Sequence, residues 1–136
     1  MRHASALLAA GLVLYPAIVH GENVMSSYYD GKRYDFVFTC KQLQNTPSWK
    51  EEDPQPPLAA RAALTAARSR LSQLVADAPH WAINRISLRS ACSNDKWFYV
   101  IEFIPPREGL NAGLGLVVFM SGYVLEPKVS PWRPNP

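Results

Sequence analysis

The run from Lys96 to Ile104, which reads KWFYVIEFI, constrains the fold of this chain more than any other segment. Aromatic and β-branched residues dominate it, as is typical of a largely buried strand. Beyond Lys96, Glu102 is its only charged residue, so both faces of the run are apolar, whereas a strand covered on one side alternates apolar and polar residues. We therefore expect a central strand whose second face is covered or serves as an apolar binding surface.

The segment before this strand, from Ile83 to Cys92, alternates in polarity. Ile86 and Leu88 share one face with Cys92, whereas two arginines lie on the other. This pattern predicts a strand with one buried and one solvated face.

Two apolar runs after the central strand are separated by Ser121-Gly122. Glycine tolerates the positive φ of a tight turn, so Leu114–Met120 and Tyr123–Glu126 are predicted to pair as a hairpin, with Met120 opposite Tyr123. Residues 105–113 are too many for a tight turn, and we expect a flexible loop there. The C-terminal half is thus predicted to be an antiparallel meander of four strands.

The N-terminal half supplies a strand and a helix. Tyr34 to Cys40 alternates and predicts a strand that follows a hairpin turn at Asp30-Gly31. A helix is predicted over residues 58–78, where alanine fills eight positions and Leu64 and Leu71 share one apolar face. Small residues allow such a helix to pack close to a sheet.

Strand, helix and antiparallel meander, in that order, predict an α+β domain. The order resembles the layout of the cystatin-like and PepSY-like exported domains. The resemblance implies a single helix, in the N-terminal half, packed on a curved and mainly antiparallel sheet of four to five strands. It concerns the layout only and brings no site residues with it.

The first 21 residues resemble a secretory signal peptide. Arg2 precedes an uncharged and mostly apolar run over residues 4–14, which is too short to span a membrane as a helix. We expect cleavage after Gly21, which leaves 13 basic and 11 acidic residues and a net charge of +2. That charge is too small to favour nucleic-acid binding. A periplasmic or extracellular location follows from this expectation.

Cys40 and Cys92 are the two cysteines of the chain, and an even pair in an exported protein predicts a disulfide. Each lies at the C-terminal end of a predicted strand. If these strands paired antiparallel in full register, the two ends would lie about 20 Å apart, at about 3.3 Å per residue, whereas bonded Cα atoms lie within about 7 Å. The bond therefore requires either a parallel pair joined by the helix or a first strand placed elsewhere, with Cys40 near the turn at 93–95.

Four aromatic residues are candidates for contact with a partner: Trp49, Trp132, Tyr28 and Tyr29. Trp49 lies in a polar, Pro-rich connection over residues 41–57. Trp132 lies in a Pro-rich tail over residues 127–136, which we expect to be flexible and to follow a single domain over residues 22–126. Aromatic side chains in such segments often bind partners.

Two titratable residues, Glu102 and His80, are candidates for perturbed pKa values. Glu102 can join Asp95 or Glu126 as a carboxylate pair for glycoside hydrolysis, or it can pair with a basic residue across the sheet. His80 can serve as a general base or lie in a loop without a catalytic role. No nucleophile motif and no metal-ligand spacing accompany them, so we predict no catalytic residue, no cofactor and no metal.

These features favour a small exported domain, periplasmic or secreted, that is not an enzyme and binds a protein or peptide partner. Two alternatives stay open. One is a small-ligand carrier with an apolar pocket between the helix and the sheet. The other is a hydrolase that uses Glu102 or His80.

Overall fold

The computed structural model describes residues 22–106 and 112–135. The predicted signal peptide, and most of the loop predicted over 105–113, lie outside the described residues. The strands are β1 Glu22–Tyr29, β2 Lys32–Phe38, β3 Ala82–Ser90, β4 Trp97–Ile104, β5 Leu114–Phe119 and β6 Lys128–Pro131. The helices are α1 Cys40–Gln44, α2 Ala60–Leu74 and a 3-10 turn, Ala78–His80.

The described strands form two antiparallel sheets of three strands each, in the orders β1-β2-β6 and β3-β4-β5. The chain is therefore α+β with one main helix, as predicted, but the single sheet of four to five strands and the cystatin-like or PepSY-like layout are not confirmed. β1 meets β5 at one bridge, between Tyr28 and Gly113. Beside it the Gly115 amide donates to the Ser27 hydroxyl at 3.0 Å. This bridge is isolated and does not continue as a ladder, so the described strands stay in two sheets.

β4 is the middle strand of its sheet, and both of its faces are covered within the chain. On one face Phe98 contacts Phe38 of β2, with ring centroids 5.2 Å apart. On the other face the Tyr99 hydroxyl donates to the Leu58 carbonyl at 2.6 Å, beside the start of α2. Phe98 and Tyr99 are both buried. The β3-β4-β5 sheet thus lies between α2 and the β1-β2-β6 sheet, and the prediction of a covered second face is confirmed.

α2 lies close to the sheet because the residues it buries are small. Ala63 and Ala67 are fully buried together with Leu71. The helix ends at Leu74, four residues before the predicted end, because Val75 adopts an extended conformation with φ −133° and ψ 147°. The 3-10 turn that contains Pro79 follows.

The Cys40–Cys92 disulfide is present, with the two Cα atoms 5.6 Å apart. Cys40 is not the last residue of a strand, as predicted, but the first residue of α1. Thr39 follows β2 and caps the helix: its hydroxyl accepts a hydrogen bond from the Gln42 amide at 3.2 Å, while the Gln42 side chain accepts one from the Thr39 amide at 2.9 Å. β2 and β3 belong to different sheets, which is the second of the two arrangements that the disulfide allowed.

β3 differs from the prediction of one buried face. It is an edge strand, and α2 packs mainly against β4 and β5. Ile83 and Ile86 are consequently 41% exposed each. The alternation in its sequence matches the strand period correctly but does not reveal that the helix stops short of this edge.

The turn at Ser121-Gly122 exists, but its register differs by one residue from the prediction. The Phe119 amide donates to the Tyr123 carbonyl, and Val118, not Phe119, lies opposite Val124. The loop therefore has three residues and ends at Gly122, whose φ is +88°, as in hairpins that close with a left-handed glycine. Residues 123–126 make this single bridge and not a full strand. Further on, β6 forms within the predicted tail and pairs with β2.

Candidate functional site

A groove of about 760 Å³ lies beside the β3–β4 hairpin, and we call it the tryptophan groove. Two half-buried indoles, Trp49 and Trp97, form its aromatic wall, with ring centroids 5.4 Å apart and planes inclined at 66°. Its remaining lining consists of Lys50, Glu51, Glu52, Asn94 and Asp95. Two indoles therefore stand among five polar or charged side chains, and binding sites commonly set aromatic surface beside polar groups that fix the orientation of a ligand.

Hydrogen bonds to the β3–β4 hairpin fix the position of Trp49. Its backbone amide donates to the Asp95 carbonyl at 2.8 Å, and its indole Nε1 donates to the Asp53 carbonyl at 3.2 Å. Lys96 reaches the same connection through its ammonium, which donates to the carbonyl of the buried Thr46. The Cys40–Cys92 bond ties α1 to the same turn of the hairpin, three residues before Asp95. The Pro-rich connection is therefore anchored to the hairpin at Trp49 itself and at Thr46 and Cys40 before it.

The groove is acidic, although the chain as a whole carries a charge of +3. Lys50 is its one cation, against the three carboxylates of Glu51, Glu52 and Asp95, so that the lining carries a net charge of −2. Hydrogen bonds from Ser93, at 2.7 Å, and from Ser48 hold the pKa of Asp95 below its ordinary value. Asp95 is therefore a carboxylate at neutral pH.

A second groove, of about 390 Å³, lies between the start of α2 and β3, and we call it the helix groove. Ala59 and Ala60 form its helical side, while Ile86, Leu88 and Tyr99 form its sheet side. Tyr99 and Trp97 are two residues apart on β4 and therefore lie on the same face of the sheet. The helix groove and the tryptophan groove thus follow each other along one face.

The four aromatic residues predicted as partner contacts lie in different surroundings. Trp49 lines the tryptophan groove. Tyr28 of β1 contacts Trp132 in the segment after β6, with ring centroids 4.5 Å apart and planes inclined at 45°. Tyr29 meets Trp81 edge to face at 4.7 Å, and Trp81 is buried. The structure thus gives Trp49 a groove, and it gives the other three residues packing contacts within the chain.

The predicted titratable candidates do not come together. Glu102 lies opposite Arg85 across the β3–β4 ladder, and its carboxylate is 3.5 Å from the Arg85 guanidinium. This is the cross-strand pair that the sequence offered as one alternative. The carboxylates proposed as its catalytic partners bind elsewhere, since Glu126 pairs with Arg70 and Asp95 with Ser93. His80 is exposed at the end of the 3-10 turn.

Sequence reasoning misses part of the groove. The apolar run of β4 favours a core position for Trp97, but this residue is half-buried and shares the aromatic wall with Trp49. From the sequence, Asp95 is expected in the turn at 93–95 and as a partner of Glu102, not beside Trp49. A signal is present, because the charge run over residues 50–53 directly follows Trp49. No local pattern shows, however, that this run lies against the turn at 93–95.

Comparisons with known proteins add no relative: no model of a protein family, no curated protein and no solved structure matches the chain. Over residues 22–106 and 112–135, no helix is both long and apolar enough to cross a membrane. Within the same ranges, histidine, cysteine and acidic side chains do not form a group of three or more that could hold a metal ion.

Proposed function

We propose that this protein is a small exported domain that binds a segment of a peptide or protein partner in the tryptophan groove. The observation that carries the proposal is the aromatic wall formed by Trp49 and Trp97, half-exposed and held in place by backbone hydrogen bonds. Large aromatic side chains that are fixed before binding lose little conformational entropy on binding, and they dominate the energetics of many interfaces.

The charge of the groove indicates what kind of side chain it accepts. Glu51, Glu52 and Asp95 surround the two indoles. A cation above an indole face is attracted by the ring, and nearby carboxylates add to that attraction. A lysine or arginine side chain of the partner therefore suits this groove better than an acidic one.

Two observations support export. The chain holds a disulfide, and such bonds persist in oxidising compartments outside the cytosol. The first 21 residues have the pattern of a signal peptide. Periplasmic or extracellular binding of a partner is the function we infer from them together with the groove.

The test uses the chain from Glu22 to Pro136 and a displayed library of random peptides. We expect peptides selected on this protein to bind Trp49→Ala at least about tenfold more weakly, the loss expected for an aromatic anchor at an interface. Trp132→Ala is the matched control, because it removes an indole at a different place. Peptides that bind Trp49→Ala as tightly as the parent protein, or a selection that enriches none, would overturn the proposal.

The helix groove favours a second candidate, a carrier of an apolar small molecule. Its volume of about 390 Å³ lies within the range of small-molecule sites, and Ile86, Leu88 and Tyr99 give it an apolar floor. Mass spectrometry of the protein under native conditions, purified from the exporting cell, separates the two functions. A small molecule that is retained by the parent protein and lost from Ile86→Glu would favour the carrier.

A further inference from the structure

The outer edge of β3 has no strand beside it in the part of the chain that the structure describes. β3 runs for nine residues, Ala82–Ser90, and pairs only with β4. Of these nine residues, seven are exposed and only Ser87 and Leu88 are partly covered. Backbone amides and carbonyls along such an edge are free to pair with another extended chain.

The two faces of this edge differ in chemistry. Ile86 and Leu88 lie on the face of α2 and form the floor of the helix groove. Arg85 and Arg89 lie on the opposite face, where Arg85 already pairs with Glu102. Arg89 is exposed and has no ion pair within residues 22–106 and 112–135.

The same edge leads to the tryptophan groove. Ser90, the last residue of β3, lies opposite Trp97 in the ladder, just as Leu88 lies opposite Tyr99. A chain that runs along β3 beyond Ser90 therefore reaches the indole wall after it has passed the helix groove.

We propose that the partner binds as an added strand on β3, in an extended conformation. An apolar side chain lies over the helix groove, and acidic side chains at alternate positions lie beside Arg89. Main-chain hydrogen bonds then provide affinity, and the groove and the arginine select the sequence, as in other cases of strand addition. This inference rests on the proposed function and specifies the conformation and chemistry of the bound segment.

Charge favours this occupant over a second copy of the chain. If two β3 strands paired with each other, each would bring Arg85 and Arg89 to the shared edge, and like charges on neighbouring strands are destabilising. A segment with acidic side chains beside Arg89 instead supplies the counter-charge that this residue lacks. Arginine on an edge strand also discourages unspecific pairing with other chains. If this were the only role of Arg89, β3 would bind no added strand.

The test uses peptides selected on the parent protein as described above, each remade with N-methyl groups on either its odd or its even residues. An added strand donates from alternate residues only, so one series should lose binding at least about tenfold and the other should keep it, because several backbone hydrogen bonds are lost together. Hydrogen exchange followed by NMR should show new protection of alternate β3 amides. Arg89→Glu should weaken binding about two- to fivefold, as expected for one exposed charge pair, and Arg133→Glu should leave it unchanged.

The outcomes separate this inference from the proposed function. Peptides whose binding depends on Trp49, but which tolerate both methylation series and leave β3 exchange unchanged, would overturn strand addition and leave the groove proposal intact. Peptides that protect β3 without depending on Trp49 would support strand addition and overturn the groove. A selection that enriches no peptide, or sedimentation that shows a dimer lost in Arg89→Glu, would overturn strand addition.

Discussion

Gly115 of β5 illustrates how a single residue without a side chain sets the contact between the two sheets. A Cβ atom at this position would overlap the sulfur and the terminal methyl group of Met25 on β1. Met25 thus fills the space that a side chain at 115 would need. The close approach also allows the Gly115 amide to reach the Ser27 hydroxyl.

We expect Gly115→Ala to lower the free energy of unfolding by about 1–3 kcal/mol, the usual cost of forcing an extra methyl group into a packed core. Met25→Ala should relieve most of that cost, so that urea unfolding of the four proteins in a double-mutant cycle gives a clear coupling energy. Gly122→Ala is the control. A Cβ atom there would have no neighbour within 4 Å, so its cost comes from the φ of +88° and should not change when Met25 is replaced. If the changes in unfolding free energy of Gly115→Ala and Met25→Ala simply add, the two residues do not compete for the same space.

A polar cluster at the start of β2 makes stability depend on pH. Asp35 accepts hydrogen bonds from the Ser26 hydroxyl at 2.5 Å and from the Arg33 guanidinium at 2.8 Å. These bonds, that from Ser26 first, hold the pKa of Asp35 below its ordinary value of 3.8. Because the folded state lowers this pKa, the carboxylate stabilises the fold above 3.8, and its contribution is lost as the pH falls through the lower, folded value.

Asp35→Asn should therefore destabilise the protein at neutral pH and have little effect at the acid end. Urea midpoints measured at successively lower pH, starting from about pH 6, should converge for the two proteins as the pH falls through the lowered pKa of the Asp35 carboxylate. Ser26→Ala should shift the loss to higher pH, because it removes the strongest bond to the carboxylate. If the difference in urea midpoint between Asp35→Asn and the parent protein stays constant over the whole pH range, the ionised carboxylate is not the source of the stabilisation.

Among the elements, the sequence predicts those whose pattern is local. β4 and the turn at Asp30-Gly31 are correct, because dense aromatic content and a turn dipeptide need no knowledge of the partner. α1 is missed, although Thr39 and Gln42 form a capping box in the sequence. The exposure of β3 and the pairing of β6 depend on which elements lie next to them. Neither the polarity period of a segment nor its strand propensity contains that information.

The same limit applies to the candidate site. Trp49 stands out in the sequence because a large indole in a polar connection is unusual. The charged residues that follow it directly can therefore be assigned to the same site. Trp97 is assigned to the core because β4 is apolar on both faces. Its position beside Trp49 results from the amide of Trp49 binding the Asp95 carbonyl, a contact between residues 46 positions apart.

β6 gives a prediction at the scale of an element. Its four residues are exposed. It is held by the ladder to β2, by the Trp132 amide, which donates to the Gly31 carbonyl at 2.8 Å, and by the tilted ring contact of Trp132 with Tyr28. Removing residues 128–136 should lower the free energy of unfolding by about 1–3 kcal/mol, since each backbone bond contributes about 1 kcal/mol net.

Hydrogen exchange separates the ladder from the indole. The truncated protein should lose protection at the β2 amides that face β6, whereas Trp132→Ala should keep the ladder and cost about 1 kcal/mol, the contribution of one aromatic pair. If truncation leaves both stability and β2 exchange unchanged, β6 does not pair with β2 in solution.

On the scale of the whole molecule, the disulfide joins the two parts that create the tryptophan groove. Cys40 begins α1, next to the connection that carries Trp49, and Cys92 lies in the hairpin that carries Asp95 and leads to Trp97. The bond therefore stabilises the fold and also keeps the two walls of the groove together. The proposed export and the proposed binding would be linked in this way, because such bonds form and persist in oxidising compartments.

Replacing both cysteines by serine should lower the free energy of unfolding by about 4 kcal/mol, the value of the chain-entropy model for a loop of this length, 52 residues. The double variant should also bind the selected peptides more weakly at temperatures where it is still folded, because Trp49 then loses one of its anchors.

Intact mass of the exported protein is the accompanying measurement. We expect a chain that begins at Glu22 and takes up two alkyl groups only after reduction. A full-length chain with two free thiols would remove the basis for export, while unchanged peptide binding by the folded double variant would show that hydrogen bonds alone hold the groove.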